Sequence, residues 1–181
     1  ATAACEGEAE SAAATRHEVE VPFPEGGGDL FYRIQAGAET TPVYRVRNPN
    51  AAPLRVAVVG NWHGREKLGE IVLRDEPQLL VTAGDNIPRL WEGDRRGDKE
   101  DVAAYQRLVD GNAELFRTVP VLPILGNHDR EILPRGERYP PAPTYDVEAT
   151  AFRRFFSLPG KEWVWHLDLP GAGLRMVAPD L

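Results

Sequence analysis

Val121-Leu122-Pro123-Ile124-Leu125-Gly126-Asn127-His128-Asp129 decides how the rest of the chain is read. An apolar run of strand-like residues stops at a glycine, and an amide, an imidazole and a carboxylate follow without a gap. The run has the composition of a strand buried on both faces. The polar residues are donors of the kind a metal or phosphate site needs, placed where such a strand ends. Gly, Asn and Asp are also turn formers for their own backbone reasons, so the stretch alone fits a turn as well as a site.

Two upstream stretches break that tie. Leu54–Val59 is a buried-strand run ending in Gly60-Asn61-Trp62-His63, and Leu79–Ala83 is another ending in Gly84-Asp85-Asn86. Between them, Lys67–Arg74 carries Leu68, Ile71 and Val72 at helical spacing and is stopped by Pro77. Asp98–Thr118 reads as helical, with Val102, Tyr105, Leu108, Val109, Leu115 and Phe116 as its buried stripe and a break at Gly111-Asn112. Strand, helix, strand, helix, strand predicts an α/β fold, a mostly parallel sheet with right-handed crossovers. Ligands of such sheets bind outside the carboxyl ends of the strands. Neighbouring strands lie about 4.8 Å apart, so the three ends can converge on one pocket. Turn chemistry gives no reason for histidine to follow two of the three glycines.

The residue types also fit one another. Asp85 supplies an oxygen able to bridge two cations, Asn127 a neutral carbonyl oxygen and His63 a neutral ring nitrogen. Mixed oxygen and imidazole ligation without thiolate suits Mn, Fe or Zn better than Mg or Ca. Two such ions about 3.5–4 Å apart would clamp a phosphoryl group and generate hydroxide at neutral pH. Arg130 is a further candidate contact for phosphate. Trp62 and Trp91, near strand ends, fit pocket walls and core packing equally well.

Composition narrows the remaining classes. The 181 residues carry a net charge of -7, which argues against a nucleic-acid binder held by phosphate contacts. The single cysteine, Cys5, leaves neither a disulfide framework nor a thiolate metal site. No stretch approaches the roughly 20 apolar residues of a membrane span. The one methionine, Met176, predicts a processed chain or a piece of a longer one, and Thr2-Ala3-Ala4-Cys5 has the look of an exported lipoprotein's cleavage end. Residues 1–28 read as a flexible tail. Residues 29–50 read as a β-hairpin or the remnant of a preceding β-domain, made from Leu30–Ile34 and Val43–Arg47 around a polar loop. Residues 51–181 read as the α/β domain. It closes with a Pro-rich loop (Pro134 to Pro143), a short helix around Glu148–Phe156, and strands at Glu162–Leu169 and Gly173–Val177.

Asn61-x-His63, Gly84-Asp85 and Gly126-Asn127-His128-Asp129, in that order, resemble the calcineurin-like metallophosphoesterases. Phe156-Ser157-Leu158-Pro159-Gly160-Lys161-Glu162-Trp163 resembles the purple-acid-phosphatase-like branch. The resemblance implies a four-layer α/β/β/α sandwich with a dinuclear site of divalent or trivalent ions at the strand ends, hydrolysing phosphate esters. It places Asn61 and His63 at the first metal, Asp85 as the bridging carboxylate and Asn127 at the second metal. It makes His128 the group that steadies phosphate and protonates the leaving oxygen, with Asp129 polarising it. Asn61 departs from the pattern, because the family has aspartate there. The family also draws further histidines from its second half, one alone and two in a Gly-His-x-His element. This chain has only His17, His63, His128 and His166, and His166 is expected to be a packing or surface residue. The chain therefore reads as the first half of such an enzyme, weakly active or inactive alone, with an uncovered sheet edge prone to self-association. The alternatives are a diesterase or pyrophosphatase of the same fold, or a non-catalytic scaffold.

Overall fold

The computed structural model describes residues 7–9, 16–24, 27–93, 95–134, 144–160 and 164–179. Half of the tail, with Cys5, and Trp163 and nearly all of the Pro-rich loop lie outside those residues.

The hairpin forms as expected, with an addition. β1 (Leu30–Tyr32), β2 (Gln35–Ala36), β3 (Glu39–Thr40) and β4 (Tyr44–Val46) pair as β1 with β4 and β2 with β3, all antiparallel. The short inner ladder occupies the segment read from sequence as a polar loop. Next come β5 (Val56–Val59), α1 (Lys67–Arg74), β6 (Leu79–Thr82), α2 (Ala103–Asp110), α3 (Ala113–Thr118) and β7 (Val121–Leu122). β5, β6 and β7 make a parallel sheet in that order, with Val59 level with Thr82 and Val81 level with Leu122. A helix α4 (Thr150–Phe155) and an antiparallel pair, β8 (Trp165–Leu169) with β9 (Leu174–Ala178), complete the described chain.

The central strand is the one buried throughout, all four residues of β6, as a parallel strand covered on both faces must be. Alternate residues divide between two cores. One packs Leu80, Trp62, Tyr105, Leu108, Leu115 and Phe152 under the helices. The other packs Leu79, Val81, Trp165, Leu169 and Ala178 between the parallel sheet and the β8–β9 pair. Helices, parallel sheet and antiparallel pair are three successive layers of the expected sandwich.

Two sequence expectations change in extent. The helix expected from Asp98 starts at Ala103, because Asp101 accepts the Ala103 N–H at 2.8 Å and so ends the preceding loop. It breaks at Gly111-Asn112 as read. The break has a use: Asn112 Oδ1 accepts the Gly69 N–H at 2.9 Å, capping the first turn of α1 from another element. The opening strand is shorter than its apolar run, because Pro123 has no N–H to give the ladder. The chain nevertheless stays beside β6, where Ile124 N–H donates to Thr82 O at 3.2 Å.

Candidate metal and phosphate site

The three strand ends meet because two glycines let them. Gly84, at φ 80°, has its missing Cβ position 3.0 Å from the Gly126 Cα. A Cβ on Gly126 would overlap the Asp85 backbone nitrogen and its Oδ1. No larger residue fits either position, so these glycines are required by contact as well as by turn geometry.

Hydrogen bonds then tie the loops together. His63 N–H donates to Asp85 O and Gly64 N–H to Asn86 O, both at 2.9 Å, joining the β5 end to the β6 end. His128 N–H donates to Asp85 Oδ1 at 3.0 Å, joining the β7 end to the same carboxylate. Asn61, His63 and Asp85 all hold left-handed backbone conformations, at φ 51°, 53° and 55°. Asn and Asp tolerate that region, but histidine does so at a cost of about 1 kcal/mol or more. Strain gathered at two neighbouring strand ends is what a site held for its side chains looks like.

The side chains converge. One ligand atom each from His63, Asp85 and His128 lies within 4.8 Å of the other two. The imidazoles of His63 and His128 sit edge to face, with ring centroids 4.6 Å apart. A single ion with bonds of about 2.1 Å needs its donors within about 4.2 Å of one another, so small side-chain rotations would close the set on a metal. The His128 ring is oriented by Pro88, whose carbonyl is 2.7 Å from Nδ1. A carbonyl only accepts, so Nδ1 carries the proton and Nε2 is the nitrogen left for a ligand or substrate. Asn61, exposed, stands two residues before His63 at the same strand end. Asn127 and Arg130 line one open cleft of about 350 Å³ with Tyr145 and Val147.

Asp129 is engaged by the backbone of the meeting loops. It is fully buried and accepts from Gly126 N–H at 2.8 Å, Asn86 N–H at 3.1 Å and Asn86 Nδ2 at 3.0 Å. The Tyr105 hydroxyl donates to its backbone carbonyl at 2.9 Å. None of these bonds reaches the His128 ring, and burial pushes its carboxyl up to about 6 against the pull of the Gly126 and Asn86 donors. At Nδ1 the imidazole also meets Glu131, whose Oε2 is 3.5 Å away. Glu131 is 4% exposed and also accepts from Trp91 Nε1 at 3.3 Å.

Sequence reasoning passed over Glu131 and Asn86. Asn86 is 1% exposed, accepts from the Thr82 hydroxyl at 2.6 Å and donates to Ile124 O at 3.0 Å. Its signal was present, as the third residue of a strand-end triplet, but turn residues rarely signal a role in sequence. Trp62 belongs to the core, fully buried and stacked on Phe116 at 5.8 Å. His166 faces outward from β8, opposite Val177, as expected.

A family profile described as calcineurin-like phosphoesterase matches residues 54–174, which spans all three strand ends. The chain belongs to the calcineurin-like phosphoesterase family. Among solved structures it is similar to the structure of PhoD, at 16% identity and a TM-score of 0.42, over 78% of this chain and 35% of that one. It therefore spans about a third of that protein's length. No curated protein matches the sequence. Among the described residues no helix is long and apolar enough to cross a membrane. The three converging ligands fit the metal dependence that membership of a calcineurin-like phosphoesterase family implies.

Proposed function

We propose that this protein hydrolyses phosphate esters at a metal centre built on the three strand ends. The observation that carries the reading is the convergence of His63, Asp85 and His128 within 4.8 Å at the carboxyl ends of adjacent parallel strands. His63 and Asp85 would hold metal, with Asn61 and Asn127 completing the set as neutral oxygen donors. The family precedent is two ions, and the donor chemistry suits Mn, Fe or Zn. Bound there, metal ions supply a hydroxide at neutral pH and neutralise charge on the phosphoryl oxygens.

The chain's own residues do the rest. His128, anchored through Nδ1, presents Nε2 toward the cluster. In its protonated form it donates from Nε2 to the phosphate and then to the leaving oxygen as the ester bond breaks. The Pro88 carbonyl and the Glu131 carboxylate, both at Nδ1, hold the ring in that orientation. Arg130, in the same cleft as Asn127, would pair with a second phosphate oxygen. Diester and pyrophosphate substrates fit the same machinery. One observation favours a non-catalytic scaffold instead: Asn61 leaves the cluster with Asp85 as its one charged donor.

Metal analysis together with a p-nitrophenyl phosphate assay separates these readings. The longest natural form should bind Mn, Fe or Zn and turn the substrate over, and His63→Ala and Asp85→Ala should abolish both. Residues 1–181 alone, with one charged donor, should show little turnover. Absence of bound metal from the longest form would establish the scaffold reading.

A further inference from the structure

The cleft of about 350 Å³ beside the strand ends is lined by Asn127, Arg130, Tyr145 and Val147. That volume is within the range of small-ligand sites. Asn127 leads into the 3-10 turn His128–Arg130 with helical angles, φ -70° and ψ -34°. Residues three apart in such a turn lie over one another, so the amide and the guanidinium share one face. Arg130 is half-buried, and among the described residues its guanidinium makes no ion pair. A ligand in this cleft touches Asn127, one of the oxygen donors proposed for the metal, directly.

The other two lining residues belong to a segment fixed to the same turn. Asp146 N–H donates to Arg130 O and Ile132 N–H to Thr144 O, both at 2.8 Å, with Tyr145 level with Glu131. Asp146 is buried, and its carboxylate accepts from Glu148 N–H at 3.2 Å and from Thr150 N–H at 2.7 Å, at the start of α4. Tyr145 and Val147, on either side of Asp146, line the cleft while Asp146 turns inward. Val147 is 75% exposed. The cleft therefore combines a polar pair, Asn127 and Arg130, with an apolar pair, Tyr145 and Val147, and main-chain bonds hold the two pairs together.

We infer that the organic group of the phosphate ester lies against Tyr145 and Val147, so that the protein selects esters of aromatic alcohols over those of small aliphatic ones. The inference rests on the phosphoesterase reading above and names the substrate class of that same site. An ester whose phosphoryl oxygens meet Asn127 and Arg130 has its organic group in the rest of the cleft, against a phenol ring and an isopropyl group. An aromatic ring packed on tyrosine adds a ring–ring attraction to the gain from apolar burial, and a methyl group has neither the ring nor the area.

Phenylphosphonate and methylphosphonate differ only in that group, and neither is hydrolysed. Calorimetric titration of the Mn2+-loaded longest natural form with each therefore reads binding and not turnover. Phenylphosphonate should bind about tenfold more tightly. The ratio should fall to about twofold in Tyr145→Ala and in Val147→Asp, and should persist in Tyr145→Phe, which keeps the ring. Val147→Asp changes an exposed side chain, so it reads the apolar wall even if Tyr145→Ala does not fold. A wild-type ratio near onefold, or a ratio that survives Val147→Asp unchanged, overturns the placement of the organic group and leaves the phosphoesterase reading intact. Failure of both compounds to bind the Mn2+-loaded protein overturns both.

Discussion

Asn61 and Asp129 show how differently two polar residues of one site can act. At the ligand position proposed for it, Asn61 would keep the shape of a carboxylate but contribute no charge, and Asp85 carries the negative charge among His63, Asp85 and His128. Asn61→Asp should raise bound-metal stoichiometry in the isolated protein, measured by plasma emission after dialysis. Unchanged metal content would remove Asn61 from the ligand set. Asp129 acts on the polypeptide. Its removal leaves the Gly126 N–H, the Asn86 N–H and one N–H of the Asn86 amide without their acceptor. Each unsatisfied donor costs about 1–3 kcal/mol, so Asp129→Ala should destabilise by about 3–5 kcal/mol in urea unfolding. Asp129→Asn, which keeps one acceptor, should cost less. A loss below about 1 kcal/mol for the alanine variant would show that the loop is held by something else.

At the scale of elements, the site depends on how closely β6 and β7 approach beyond their ladder. Gly126→Ala puts a methyl group into the Asp85 backbone and carboxylate, so the strand ends must part. The expected result is loss of metal binding with a smaller loss of helical circular dichroism, because α1 and α2 do not depend on that contact. A variant that keeps full metal content would mean that the Gly84–Gly126 contact is not what sets the ligand spacing. Gly69 is a second close approach. A Cβ there would lie 2.5 Å from Asn112 Oδ1, so the cap that Asn112 provides for α1 would be displaced. Much of this level was legible in sequence. Lys67–Arg74 is the helix its spacing predicts, and the three apolar runs are the three parallel strands. The reach of the third was not, since an apolar run does not say which of its residues a proline removes from the ladder.

Across the whole molecule, exposure is uneven. β5 is an edge of the parallel sheet, and Val58 on it is 68% exposed. Val177 on β9 is 63% exposed. A twisted edge with apolar side chains is a template for further pairing. We propose that it mediates the self-association expected from sequence. Sedimentation velocity should show a concentration-dependent dimer that Val58→Asp disperses; a monomer at every concentration would reject this route.

What the sequence by itself determined is the sheet and the position of its chemistry. Runs of β-branched residues alternating with amphipathic helices admit one economical packing, and a glycine followed by Asn, Asp or His marks where each strand delivers donors. Which donors act together was decided only by tertiary structure. His128 takes its orientation from Pro88 and Glu131, from different loops, while the adjacent Asp129 turns inward to Asn86 and Gly126. The reason is physical. A buried carboxylate goes to whichever donors would otherwise be left unsatisfied, and those are fixed by the meeting of three strand ends that the linear order of residues does not record.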